Sequence, residues 1–359
     1  MTLSGEATTP RTIAIPACPA CASGGSPIYR GLTDRLFGVH GSWDLARCAN
    51  HRCGMLWLDP RPSAEALPDM YAGYHTHAPP QSMPDTLPRR LYNRAVRGHL
   101  QKRFGYHRYR TGFFDRTLAM LLRLQPGRLA HADARVYHLP WTEGGHVLEV
   151  GCGAGETLAR LQDYGWQAEG LDFDPGAVER ARSRGLKVHQ GDLVSQKFPS
   201  GHFDAVVLSH VIEHVPDPVE LLSECKRVLH PGGHLVIYTP NADSLGHRLF
   251  GRDWRGLEPP RHFQIFTLRS LRHTAQAAGL SVRTCKTVPR GQGIVQESLR
   301  MKFPGFPAGN GLSVLERILG EAFELLESIL LIIQPNAGEE ALLIATSEPD
   351  RPKHPLVST

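Results

Sequence analysis

The sequence has no long hydrophobic run. Hydrophobic residues make up 41% of its 359 positions, but no uninterrupted apolar stretch approaches the roughly 20 residues that cross a bilayer. The segment from Met1 to Pro10 has neither the basic start nor the apolar core of a secretory signal. We therefore expect a globular protein without a transmembrane span, located in the cytoplasm.

Cysteine is also scarce, with seven residues in the chain. Thiols stay reduced in the cytoplasm, so these residues are better interpreted as metal ligands or core residues than as disulfides. Within a small module predicted over residues 13–74, four of them form two close pairs: Cys18 with Cys21, and Cys48 with Cys53. Four thiolates satisfy a structural zinc ion. Buried free cysteines are the alternative, and His51 could replace Cys48 or Cys53 as the fourth ligand.

Acidic residues are nearly missing from one segment. The chain has a net charge of +5, but residues 87–136 contain 12 Lys or Arg against two Asp. Apolar residues recur there at helical spacing, first from Leu91 to Phe104 and then from Phe113 to Leu122. This pattern predicts a basic helical lid over residues 79–140. Its charge suits an anionic partner or an acidic membrane surface, with a merely solvated outer face as the alternative.

Predicted strands and helices alternate along residues 141–289, as they do in proteins with a parallel sheet. We expect six strands: His146 to Val150, Ala168 to Leu171, Leu186 to Gln190, Ala205 to Ser209, His234 to Tyr238 and Ser281 to Val288. Residues 338–348 add a strand at Ala341 to Thr346, antiparallel to the others. The pattern predicts an α/β protein with a Rossmann-like, mostly parallel sheet.

A helical insertion is predicted between these parts, over residues 290–337. Within it, a helix over residues 312–333 has a broad apolar face that widens toward Ile333. Such a face suits the core or a homodimer, and peripheral contact with a membrane is the alternative.

A glycine-rich turn follows the first strand in the sequence HVLEVGCGAGETL. Gly151, Gly153 and Gly155 let a ligand lie against bare backbone at the start of a helix. Dinucleotide-binding loops place the third glycine one residue later, where this chain has Glu156. The spacing therefore favours S-adenosylmethionine, with Cys152 as a small residue packed near it.

Acidic residues follow three consecutive strands. Glu149 ends the first strand, Asp172 ends the second and Asp192 follows the third. Ligands of such sheets bind at the carboxyl ends of the strands. There Asp172 can accept hydrogen bonds from ribose hydroxyls, Asp192 from the adenine amino group, and Glu149 from the methionine ammonium. A helix cap or turn is the alternative for each residue taken singly.

Four motifs, in this order, resemble those of class I S-adenosylmethionine-dependent methyltransferases: VLEVGCGAG, GLDFDP, GDL and FDAVVLSHVIEHV. The resemblance covers about residues 145–288. It implies a seven-stranded sheet with a final antiparallel hairpin, methyl transfer, and cofactor contacts at Glu149, Gly151, Gly153, Asp172 and Asp192. The predicted contact set also includes Cys152, Gly155, Phe173, Leu193 and Ser209.

The front of the chain is similar to a zinc-ribbon module that precedes some bacterial methyltransferases, including sugar C-methyltransferases. The likeness lies in RCANHRCGMLWLDPRP and in the stretch from Tyr71 to His77. It implies zinc at the four cysteines named above.

Candidate catalytic residues cluster after the fourth strand. If a helical turn begins at His210, then His210, Glu213 and His214 share one face. Ubiquinone-pathway O-methyltransferases and small-RNA 2′-O-methyltransferases look similar here, with Glu-x-x-Glu-His and a distant His. This chain has His210 at the first acidic position, and His262 is the candidate distant partner. Three roles stay open: base catalysis, a second divalent metal, and a structural Glu–His hydrogen bond.

We expect the acceptor to be a small or carrier-linked molecule, methylated on oxygen or carbon. If the basic lid binds it, the acceptor is anionic, for example a nucleotide sugar or a glycan on a lipid carrier. We also expect Pro240, Asn241, Arg261 and His262 to rim its pocket.

Two other functions are weighed against this one. An RNA methyltransferase is disfavoured, because the basic segment has few aromatic residues for base stacking and no RNA-binding module is visible. A non-catalytic adaptor that only binds the cofactor is disfavoured by the three intact acidic residues.

Overall fold

The computed structural model describes residues 10–66, 70, 85–303 and 314–348. The stretch from Tyr71 to His77 and the predicted boundaries at residues 74 and 79 lie outside these ranges. The strands are β1 (Thr12–Ile13), β2 (Gly25–Leu32), β3 (Trp43–Cys48), β4 (Leu56–Leu58), β5 (Arg61–Pro62), β6 (His146–Val150), β7 (Gln167–Asp172), β8 (Lys187–Gln190), β9 (Phe203–Ser209), β10 (Leu229–Pro240), β11 (Gln264–Ile265), β12 (Ser281–Val288) and β13 (Glu340–Thr346).

The helices lie between these strands and cover both faces of the larger sheet. They are α1 (Leu87–Phe104), α2 (Phe113–Leu122), α3 (Pro126–Ala134), α4 (Glu156–Asp163), α5 (Pro175–Ser183), α6 (Pro218–Val228), α7 (Leu245–Phe250), α8 (Leu268–Ala277), α9 (Gln292–Lys302) and α10 (Val314–Ile333). Short 3₁₀ segments occupy Ala64–Ala66, Gly251–Asp253 and Arg255–Leu257.

The larger sheet has seven strands in the order β12-β13-β10-β9-β6-β7-β8. The strands from β10 to β8 pair in parallel, whereas β13 runs antiparallel to both β10 and β12. The predicted Rossmann-like fold with a final antiparallel hairpin is confirmed. In β9 the consecutive residues Val206, Val207 and Leu208 are all fully buried, as expected of a strand that is covered on both faces.

The four-stranded sheet of the cysteine-bearing module has the order β11-β4-β3-β2. Its edge strand, β11, lies in sequence between β10 and β12 of the larger sheet. It pairs with β4, with Gln264 opposite Trp57 and Ile265 opposite Leu56. The two sheets are therefore joined through this two-residue strand.

Helices α1, α2 and α3 occupy the segment that was predicted to be a basic helical lid. Ala95, Val96 and Leu100 of α1 are buried, as their spacing predicted. The prediction for α2 is partly wrong, because Phe113 and Leu121 are exposed instead of packed. The two helices meet at Gly98, where a Cβ atom would lie 2.5 Å from the carbonyl oxygen of Asp115.

Helix α10 falls within the predicted helix over residues 312–333. Phe323 and Glu327 are buried, whereas Ile318, Leu325 and Ile332 are exposed. The core interpretation therefore holds for one face of the helix only. No helix in the described part of the chain combines the length and apolarity that a membrane crossing needs.

Candidate functional site

The glycine-rich turn connects β6 to α4 through three residues in the left-handed region, with φ of 71° at Gly151, 53° at Gly153 and 80° at Gly155. Side chains rarely adopt this backbone. A Cβ atom at Gly151 would lie 2.5 Å from Val211, and one at Gly155 would collide with Leu186. These two glycines therefore also make room for neighbouring side chains.

Glu149 lies at the end of β6, buried beneath this turn. Its Oε1 accepts a hydrogen bond of 2.8 Å from the hydroxyl of Tyr137, whereas its buried Oε2 has no hydrogen-bond partner among the described residues. Burial raises the pKa of Glu149 to about 7. A buried polar atom without a partner is uncommon and indicates a missing donor.

Asp172 ends β7 next to the turn. Its carboxylate accepts hydrogen bonds from the backbone N–H of Gly153, at 2.7 Å, and of Asp174, at 2.9 Å. It therefore holds the glycine-rich turn against the neighbouring strand, and its oxygens can accept further hydrogen bonds. Asp174 caps α5 by accepting from the N–H of Gly176.

The other predicted cofactor residues surround the same strand ends. Phe173 is 49% exposed and Leu193 is buried. The carboxylate of Asp192 is exposed and accepts a hydrogen bond from the N–H of Ser195. Cys152 is buried, and Ser209 is half-buried at the end of β9. Cys152 packs against Gly170, where a Cβ atom would lie 2.5 Å from its sulfur.

The residues after β9 form a single tight turn, closed by a hydrogen bond from the N–H of His214 to the carbonyl of Val211. The expected helical turn starting at His210 is therefore wrong, because His210 itself has a left-handed φ of 56°. The two rings of His210 and His214 consequently have different partners. A non-glycine residue held in this region is a frequent mark of a functional site.

His210 lies between two buried carboxylates. Its Nε2 is 3.1 Å from Oε1 of Glu340, and its Nδ1 is 3.3 Å from Oε1 of Glu213. Burial opposes its charged form, but the hydrogen bonds to Glu213 and Glu340 outweigh that effect and raise the pKa of His210 above its usual range. The two carboxylates therefore favour the charged form of His210 at neutral pH.

Glu213, His214 and His262 form a compact group, each with a potential ligand atom within 4.8 Å of the others. Burial lowers the pKa of His214 and lowers that of His262 to about 4. Burial alone would raise the pKa of Glu213, but His210 lowers it to about 2. At neutral pH the group therefore contains two neutral imidazoles and one carboxylate, which are the protonation states that bind a metal.

Backbone carbonyls orient both imidazoles. Nδ1 of His214 lies 3.1 Å from the carbonyl oxygen of Arg261, and Nδ1 of His262 lies 2.8 Å from that of Gly256. A neutral ring donates through Nδ1 in these contacts, which leaves Nε2 of His214 with a lone pair. Nε2 of His262 lies 3.4 Å from Oε2 of Glu258. Metal-binding histidines are held in the same way.

A cleft of about 230 Å³ opens beside this group. Pro240 and His262 line it as expected, together with His210 and His214. Arg261 does not, because it is fully buried in an ion pair with Asp34. Asn241 is also buried, and its amide donates to backbone carbonyls.

The four module cysteines converge. The sulfur atoms of Cys18 and Cys53 are 3.7 Å apart, those of Cys21 and Cys48 are 3.4 Å apart, and all four lie within 4.8 Å of one another. Tetrahedral zinc with bonds of about 2.3 Å places its sulfur ligands about 3.8 Å apart. The cluster is therefore consistent with a zinc site.

The electrostatics of the cluster also fit a cation. A hydrogen bond with Cys53 lowers the pKa of Cys18 to about 5, and the same contact raises that of Cys53 far above its usual range. Four adjacent thiols thus cannot all ionise unless a positive charge lies among them. His51, the alternative fourth ligand, is exposed and does not belong to the cluster.

The module is joined directly to the histidine group. The N–H of Phe263, just before β11, donates to the carbonyl of Glu213 at 2.8 Å. Thr267, just after β11, donates through its hydroxyl to the carbonyl of Cys53 at 2.6 Å. The segment that carries His262 is therefore held between the cysteine cluster and the turn that carries Glu213 and His214.

Several residues of the site carry no sequence signal. Tyr137, which donates to Glu149, has a left-handed φ of 50° in a segment without periodicity. Glu340 reaches His210 from β13, and Arg290 lies 3.0 Å from Glu340. Glu340 lies one residue before the predicted strand from Ala341 to Thr346, and only the antiparallel pairing of β13 with β10 brings it to His210.

A family model described as a methyltransferase domain matches residues 106–284. A probable S-adenosylmethionine-dependent methyltransferase of Mycolicibacterium smegmatis is 33% identical over 177 residues, which are 48% of this chain and 63% of that protein. A ubiquinone biosynthesis O-methyltransferase of Xanthomonas oryzae pv. oryzae is 38% identical over 130 residues, which are 33% of this chain and 51% of that protein. The chain thus spans between half and two thirds of the length of these relatives.

Among solved structures, a methyltransferase from Archaeoglobus fulgidus that depends on S-adenosylmethionine is 21% identical, with a TM-score of 0.40. The match covers 64% of this chain and 98% of that one. The family match, added to the order of the seven strands and the motifs at their ends, shows that the chain belongs to the class I S-adenosylmethionine-dependent methyltransferases.

Proposed function

We propose that this protein transfers a methyl group from S-adenosylmethionine to a small-molecule acceptor bound in the cleft beside His214 and His262. The observation that carries the cofactor assignment is the buried Oε2 of Glu149 at the end of β6, which has no hydrogen-bond partner in the described part of the chain. This carboxylate would face the charged methionine part of the cofactor, whose ammonium group would supply the missing donor.

The bound cofactor supplies a methyl group that is already activated by its sulfonium. The residues of this chain therefore have two tasks, which are to align the acceptor and to remove a proton from it. We assign the first to the walls of the cleft and the second to the group formed by Glu213, His214 and His262. His210 keeps this group in place as a cation between Glu213 and Glu340.

We propose that the same group binds a divalent metal ion. The three potential ligand atoms lie within 4.8 Å of one another, and the mixture of carboxylate and imidazole suits a transition metal or Mn²⁺. Such an ion would lower the pKa of an acceptor hydroxyl. If no ion binds, His214 is the candidate base, because its imidazole is neutral.

Mn²⁺ binding measured by electron paramagnetic resonance tests the metal proposal without relying on turnover. The wild-type protein should bind Mn²⁺, His262→Gln should lose that binding, and the exposed His273→Gln should retain it. Equal binding by all three proteins would contradict the metal and leave base catalysis by His214.

We further propose that the acceptor is rich in hydroxyl groups, as a nucleotide sugar or glycan is. Six of the ten residues that line the cleft have polar side chains, namely His210, His214, Arg255, Glu258, His262 and Glu297. Both charges are present, so the cleft offers donors and acceptors to neutral hydroxyls as well as to anions.

Methyl transfer and its acceptor can be tested together. Metabolite extracts incubated with the protein and methyl-labelled S-adenosylmethionine should yield a labelled product, detected by mass spectrometry. Asp172→Ala should abolish both the product and calorimetric binding of the cofactor, whereas Asp174→Ala, which removes the N-terminal cap of α5, should retain both. Undiminished binding by Asp172→Ala would contradict the cofactor site.

A further inference from the structure

A cleft of about 460 Å³ lies between α1 and α2, apart from the histidine group. The end of α1 forms one wall, from Gly98 to Lys102, and α2 with its C-cap residue Arg123 forms the other, beginning at Arg116. The close contact at Gly98 fixes the helices at one end of it. Arg94 reinforces this contact through an ion pair of 2.6 Å with Asp115.

The cleft is strongly cationic. Lys102, Arg116 and Arg123 line it together with His107, and its lining contains no carboxylate. None of the three permanent cations forms an ion pair within residues 10–66, 70, 85–303 and 314–348. The nearby Asp133 is already occupied, by His99 at 2.6 Å and Arg103 at 2.8 Å.

This arrangement differs from a solvated basic face. Solubilising charges are spread over convex surface and mixed in sign, whereas these cations converge on a concavity where they repel one another. An anion relieves that repulsion, and arginine binds phosphate oxygens in pairs.

The rest of the wall is apolar. Arg116, Ala119, Met120 and Arg123 recur at the spacing of one helix face, so apolar surface lies between the two arginines. Met120 is 63% exposed, and Phe113, two turns earlier, is 87% exposed. A ligand that fits both features carries a phosphate or diphosphate on an apolar or aromatic body.

We propose that the cleft between α1 and α2 is a binding site for a phosphate-bearing ligand, distinct from the proposed methyl-acceptor cleft. Lys102, Arg116 and Arg123 bind the phosphate oxygens, and Ala119 and Met120 contact the uncharged part. The site gives a role to three of the 12 Lys and Arg of residues 87–136, which the methyl-transfer chemistry does not use.

Calorimetric titration with inorganic pyrophosphate tests the site. Arg116→Gln combined with Arg123→Gln should bind pyrophosphate at least about tenfold more weakly, because two charge-assisted contacts are lost. The matched control, Arg108→Gln with Arg110→Gln, removes the same charge from the neighbouring loop and should bind as the wild type does. Equal weakening in both variants, or no binding by the wild type, would overturn the site.

Two further arms identify the source of the phosphate. In the first, the protein is sedimented with phosphatidylcholine vesicles, either pure or containing phosphatidic acid. A lipid headgroup is supported if the wild type sediments only with the vesicles that contain phosphatidic acid and the cleft variant sediments with neither. Pyrophosphate binding without sedimentation would support a free phosphate ester. Cleft-dependent binding of RNA that excludes pyrophosphate would contradict the proposed ligand class.

Discussion

Two separate requirements favour glycine at position 155 of the glycine-rich turn. Its left-handed φ of 80° favours glycine, and the space where a side chain would stand is filled by Leu186. Gly185 also has a left-handed φ, of 77°, but an added Cβ there would have no neighbouring atom within 4 Å. Alanine substitutions at Gly155 and Gly185 can therefore separate the loss of stability that comes from backbone strain from the loss that comes from overpacking.

Gly185→Ala should lower the free energy of unfolding by about 1 kcal/mol, through backbone strain alone. Gly155→Ala should lower it by about 2–4 kcal/mol, because the displacement of Leu186 is added to the strain. Chemical denaturation of both variants measures the difference. Equal decreases in the free energy of unfolding would show that the Leu186 side chain can shift aside without strain.

Glu149 makes cofactor binding depend on pH. Burial raises its pKa to about 7, so the free protein holds a neutral carboxyl below that pH and a carboxylate above it. The carboxylate is the form that binds an ammonium, so affinity for S-adenosylmethionine should rise from about pH 6 to above pH 7 and fall again near pH 8, where an α-ammonium loses its proton. Calorimetry across this range should show the rise in the wild type, and a weak affinity without that rise in Glu149→Gln.

The acidic residues at the strand ends could be predicted because buried strands leave apolar runs in the sequence, and Glu149 and Asp172 stand where those runs stop. Tyr137 could not be predicted. Its contact with Glu149 depends on two consecutive left-handed residues, Tyr137 and His138, in a segment without a repeating pattern.

At the scale of elements, β11 links the cysteine cluster to the candidate catalytic group. It pairs with β4 of the module, while the side-chain amide of Gln264 donates to the carbonyls of Ile212 and Val215 on either side of the turn. Arg261, just before it, forms a buried ion pair with Asp34. The module therefore positions both His214 and His262.

Cys18→Ser combined with Cys21→Ser should remove about one zinc ion per chain, measured by elemental analysis. Cofactor binding should persist, since Glu149 and Asp172 lie on the other sheet, but methyl transfer should fall by at least about tenfold as His262 loses its support. Cys285→Ser, outside the cluster, should retain zinc and activity. Unchanged methyl transfer in the double variant would contradict the positioning role.

The seven strands of the larger sheet could be predicted from their apolar runs and from the helices between them. Strand β11 could not, because two residues carry no periodicity. The helical turn predicted at His210 fails for another reason, since the backbone there follows its hydrogen bond to the carbonyl of Tyr238 and not the local sequence.

At the scale of the whole molecule, α10 carries an exposed apolar stripe. Ile318, Leu325, Ile329 and Ile332 are each more than half exposed. With Ala322 they follow the alternating spacing of four and three residues that suits a partner helix. The exposed Glu321 on the same helix disfavours an anionic membrane, so we expect a homodimer in preference to peripheral membrane contact.

Ile329→Asp should shift the protein from dimer to monomer in analytical ultracentrifugation, with little loss of stability because the side chain is 53% exposed. Leu249→Asp, which changes a residue of similar exposure on α7, should leave the association unchanged. A monomeric wild type would exclude this interface.

Strand β11 follows strands β2 to β4 far along the sequence, and this order affects how the module folds during translation. The four cysteines and strands β2 to β4 leave the ribosome long before Gln264 and Ile265, so the module emerges with one edge of its sheet uncovered. Such an exposed edge can pair with strands of other chains. A metal ion bound early would hold the incomplete module compact until β11 has been synthesised. Zinc availability during translation should therefore affect the yield of intact protein more than zinc added after folding.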